Sequence, residues 1–88
     1  MPTGRHLLAG RYVLQTGARN GPQTAAHIRA QWLTSGGPEN QPEEAFFNSL
    51  IDMLIDPGGY LLKGQDERLS LTADGEMVAH GGDFIFGR

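Results

Sequence analysis

The chain has 88 residues, 39% of them hydrophobic, and a net charge of −3. This supports one small domain, residues 1–88, with a thin core, and argues against a disordered chain. Without cysteine there is no disulfide framework, thiolate zinc site or cysteine nucleophile, and no apolar run approaches the roughly 18 residues of a membrane span.

Residues 4–18 read as a first helix, with Leu7, Leu8, Tyr12 and Gln15 near one side and Val13 and Leu14 flanking. Tyr12, Val13 and Leu14 would equally suit a short strand. Thr3 suits the N-cap, and Gly10 inside the helix suggests a place where another backbone packs close. Asn20 and Gly21 end the element. Pro22 then fits a first helical position, so a second helix is expected over 22–33, with Ala25, Ile28, Trp32 and Leu33 as its apolar stripe. Trp32 reads as core, and Arg29, beside the stripe, as solvent-facing.

Thr34, Ser35, Gly36, Gly37 and Pro38 form a loop by composition. A third helix starts at Pro42 or Glu43. Its apolar residues, from Phe46 to Ile55, cover more than half its circumference, as in a helix packed on two sides. Asp56, Pro57, Gly58 and Gly59 stop it. Tyr60 to Leu62 and Leu69 to Leu71 are strands of a hairpin whose turn, residues 63–67, has Gly64 available for a positive φ. Thr72 caps a last short helix, 73–80. The apolar tail Phe84, Ile85, Phe86 is expected to pair as an edge strand or to dock on another chain.

The order of helix, strand, polar turn, strand and a final helix opening on Leu71, Thr72 and Gly75 resembles the winged helix of MarR- and PadR-type bacterial regulators. The similarity spans residues 42–79 and rests on Leu50, Leu54, Gly59, Tyr60, Leu61, Leu69, Leu71, Thr72 and Gly75. It implies an α+β fold, mainly α: three helices, a β-hairpin wing and a short C-terminal helix or strand. It also implies DNA binding and transcriptional regulation, with the third helix in the major groove and the wing on the backbone.

The residues that would carry such binding are few. Residues 1–38 hold four arginines and no acid, whereas residues 39–88 hold all ten acids, so the halves carry +4 and −7. Phosphate affinity would come from Arg11, Arg19, Arg29, Lys63 and Arg68, with Thr24 near the start of the second helix. Asn48 and Ser49 on the third helix would face base edges. A homodimer would join two half-sites. The alternative is a protein-interaction module: Asp52 and Asp56 on the same helix would repel phosphates, and the acidic half would suit a basic protein partner, with Phe84, Ile85 and Phe86 adding a strand or filling a groove.

No enzyme is expected. His6, His27 and His80 lack metal-ligand spacing, Ser35, Ser49 and Ser70 lie in no nucleophile elbow, and no Gly-Lys-Ser/Thr follows the glycine pairs. No cofactor is implied. Leu7, Leu8 and Ala9 are followed by Arg11, too short a run for a signal-peptide core, so a cytoplasmic location without membrane contact is expected.

Overall fold

A computed structural model describes residues 4–35, 37, 43–56 and 58–84. Among them the order is α1 (Gly4–Asn20), β1 (Gln23–Thr24), α2 (Ala25–Ser35), α3 (Glu44–Ile55), β2 (Leu61–Lys63), β3 (Arg68–Leu71) and α4 (Ala73–Ala79). The fold is α+β and mainly helical. Its antiparallel sheet runs β1-β3-β2, with Gln23 opposite Leu69 and Leu61 opposite Leu71. This arrangement is compatible with a winged helix.

The strand β1 corrects the expected start of the second helix. Pro22 is not its first residue. Gln23 and Thr24 pair with β3 instead, and the helix begins at Ala25. Thr24 is the reason the boundary falls there: its Oγ1 accepts from the His27 backbone N–H at 3.2 Å, which satisfies one of the helix's orphan donors. Within α2, Ile28 and Trp32 are buried, but Leu33, expected in the stripe, is 43% exposed.

The helix α1 buries a different face from the one the leucines suggest. Its buried residues are Ala9, Gly10, Val13, Leu14, Thr16 and Gly17, while Leu7, Leu8 and Gln15 are exposed. Small residues allow this. Side chains, not another backbone, fill the space over Gly10: a Cβ there would lie 3.2 Å from the Phe84 ring and 3.3 Å from Leu54. At Gly17 a Cβ would meet the Leu71 side-chain tip at 2.5 Å, so the glycine lets Leu71 of β3 lie directly against α1. Asn20 ends the helix before Gly21, whose φ of +82° is the left-handed geometry a helix end favours.

The third helix begins one residue late, at Glu44, and is packed on two sides. Phe46, Phe47, Leu50, Ile51 and Leu54 are buried, with Met53 and Ile55 packed partly against the same core. Trp32 sits at the centre, edge-on to Tyr12 at 5.3 Å and to Phe47 at 5.8 Å. This aromatic row joins α1, α2 and α3; paired rings in such geometry add about 0.5–1.5 kcal/mol beyond their buried area.

The hairpin forms as the alternation dictates: Leu69 is buried and Arg68 exposed. Its turn is closed by Gly64 N–H to Arg68 O at 2.9 Å, and Asp66 Oδ1 accepts from the Arg68 N–H. The positive φ falls on Glu67, at 65°, and not on Gly64. The last helix is capped as expected, Thr72 accepting from the Gly75 N–H. Gly75 itself is buried, and a Cβ there would collide with the Tyr60 carbonyl oxygen. Phe84, expected to pair as an edge strand or to dock on another chain, lies in no strand and packs partly on its own core, edge-on to Tyr60 at 5.1 Å. Ile85 and Phe86, like Thr3, Pro42 and Pro57, lie outside the described residues.

Candidate functional site

Because α2 buries only Ile28 and Trp32, the rest of its surface stands as a ridge with a cleft on each side. The sequence placed Arg19 and Arg29 together among the phosphate contacts, with His27 between them in the chain. The ridge divides them. Arg29 lies on the α3 side; Arg19 and His27 lie on the α1 side, with Ala30 common to both clefts.

The α2/α3 cleft holds about 280 Å³ and brings Arg29 together with Asn48, two of the predicted contact residues. Arg29 is half-buried, not fully solvent-facing, and its Nε has no hydrogen-bond partner among the described residues. Such a donor costs free energy until an acceptor arrives. Glu44 shares the cleft and is the one acid on it among the described residues. Asn48 and Ser49 are exposed on α3, but the Ser49 hydroxyl is turned back to donate to Phe46 O at 2.9 Å. Asp52 and Asp56 are exposed on the same helix.

The remaining cations are engaged in different ways. Arg11 donates from Nη1 to Val78 O at 2.9 Å and so ties α1 to α4. At the wing, Lys63 Nζ lies 3.8 Å from Glu67 and Arg68 Nε 3.6 Å from Asp66. Exposed pairs of this kind are weak, contributing about 0–1 kcal/mol, and leave both cations able to exchange partners. Thr24 is spent as the cap of α2.

The α1/α2 cleft is larger, about 460 Å³, and was not legible in the sequence. Its wall is formed by Tyr12, Thr16, Arg19 and Asn20 from the α1 side and by His27, Ala30, Gln31, Thr34 and Ser35 from α2. The Tyr12 hydroxyl and Ser35 Oγ, 3.0 Å apart, bridge the two helices. Thr16 is buried to 1% exposure and its Oγ1 has no partner among the described residues. The one sequence hint was a polar residue, Thr16, falling on a helix position between Val13 and Gly17 that proved to be buried.

Among the described residues no group of three or more histidines and acids could hold a metal ion, and no helix is long and apolar enough to cross a membrane. No protein-family model, curated protein or solved structure matches the chain.

Proposed function

We propose that this protein is a small winged-helix DNA-binding protein that regulates transcription by occupying its site, alone or as a homodimer. The observation that carries the reading is the meeting of Arg29 and Asn48 on one cleft beside α3. An arginine on the cleft suits a phosphate oxygen, and an asparagine can pair with the N6 and N7 edge of adenine. The helix order, the β1-β3-β2 sheet and a hairpin bearing Lys63 and Arg68 support it. In this reading the wing cations exchange Glu67 and Asp66 for phosphates.

The test is fluorescence anisotropy with a mixed-sequence duplex over a salt series. Binding at low salt should fall steeply as salt rises, and Arg29→Ala should lower the slope of log K against log salt by about one. Absence of binding at the lowest salt would overturn the reading.

A second reading is favoured by Glu44, Asp52 and Asp56, all exposed on α3. That face would then take a basic protein partner, and the fold would be a protein-interaction module. It predicts capture of a lysine-rich peptide that Asp52→Asn weakens, with no affinity for the duplex.

A further inference from the structure

We infer that the cleft between α1 and α2 is a binding site for a small organic carboxylate with an apolar body. This goes beyond DNA binding and does not depend on it. Three features of the wall point to this chemistry. First, the cleft, although open to solvent, has room for a small ligand: its volume of about 460 Å³ lies within the roughly 300–1,000 Å³ typical of such sites. Second, its charge is one-sided. Arg19 lines it, with the His27 imidazole beside it, and among the described residues no acid does. Arg19 makes no ion pair among the described residues, so its planar fork is open to a carboxylate, which it can meet with two parallel hydrogen bonds. Third, the wall has an unfilled polar position. The Thr16 hydroxyl, buried behind the wall, has no partner among the described residues, so a small shift of the wall would let a ligand oxygen reach it, and Asn20 and Gln31 supply further amide groups that fix orientation. Between these groups the wall is mostly apolar, with the Tyr12 ring and Ala30 on it, so a ligand gains by placing hydrocarbon there and its charge at Arg19.

The experiment titrates the full chain with phenylacetate, phenylacetamide and inorganic phosphate, by calorimetry and by amide chemical shifts. Phenylacetate should bind and perturb amides of α1 and α2 around Tyr12, Arg19 and Gln31. Phenylacetamide should bind at least about tenfold more weakly, because it lacks the charge. Arg19→Gln should cost about the same factor at an unchanged melting temperature, since Arg19 is exposed. Ala30→Leu should reduce phenylacetate affinity by filling the cleft. Four results would overturn the inference: equal binding of acid and amide, undiminished affinity in Arg19→Gln, shifts confined to the α2/α3 side, or phosphate binding as tightly as phenylacetate.

Discussion

The Thr72 hydroxyl donates to the Gly59 carbonyl oxygen at 2.6 Å, linking the end of α3 to the start of α4. The Thr72 Oγ1 in turn accepts from the Gly75 N–H at 3.1 Å, and the Thr72 N–H donates to Tyr60 O. One side chain thus caps a helix and holds the entry to β2 against the exit from β3. Thr72→Val keeps the shape and removes both hydroxyl bonds. It should destabilise the protein by about 1–2 kcal/mol, the usual cost of a lost cap with an orphaned partner. Thr72→Ser should recover most of this. Urea unfolding of the three proteins measures it.

Glu67 carries the wing's positive φ of 65°, a conformation that costs a side chain about 1 kcal/mol. Asparagine tolerates it. Glu67→Asn should therefore leave stability unchanged or raise it by a few tenths to about 1 kcal/mol, even though the pair with Lys63 is lost. A fall in melting temperature would show that the glutamate's ion pair outweighs the backbone cost.

Phe84 rests on Tyr60 and over Gly10, so its removal acts on the fold. Phe84→Ala should destabilise by about 1–3 kcal/mol, less than a fully buried phenylalanine because Phe84 is only half-buried. Thermal denaturation followed by circular dichroism is sufficient to detect this. An unchanged melting point would mean that the tail does not dock on its own core.

Asp52 and Asp56 bear on the DNA reading directly. If α3 approaches a duplex, Asp52→Asn with Asp56→Asn removes two repelled charges, and affinity at low salt should rise severalfold. The gain should shrink as salt is added, because screening shortens the reach of exposed charges to about 10 Å near 0.1 M. Anisotropy at two salt concentrations separates this from a structural effect.

What was legible beforehand was whatever depends on neighbours in sequence. The two-sided apolar pattern of α3, the alternation of Leu69 and Leu71, and the Thr72 cap are local signals, and α3, the hairpin and α4 stand within a residue or two of where they were expected. The same locality explains the limits. Gln23 and Thr24 have no strand signal of their own; they become β1 because β3 offers them a free edge, and so α2 starts later than Pro22 suggested. Periodicity grouped Leu7, Leu8, Tyr12 and Gln15 on one side of α1, with Val13 and Leu14 flanking. Packing chose Ala9, Gly10 and Gly17 instead, because small residues let Leu54, Leu71 and Phe84 approach.

The sequence alone therefore determined a small α+β chain with a hairpin and a capped last helix, through turn chemistry and hydrophobic spacing. Tertiary structure decided how the basic residues divide. A one-dimensional reading could not see that the α2 ridge sends Arg29 toward Asn48 and Arg19 toward Tyr12 and His27, or that Arg11 is held by Val78. Those groupings depend on how α2 is rotated about its axis. Burial of Ile28 and Trp32 against α1 and α3 sets that rotation, and residues far apart in the chain supply the core that buries them.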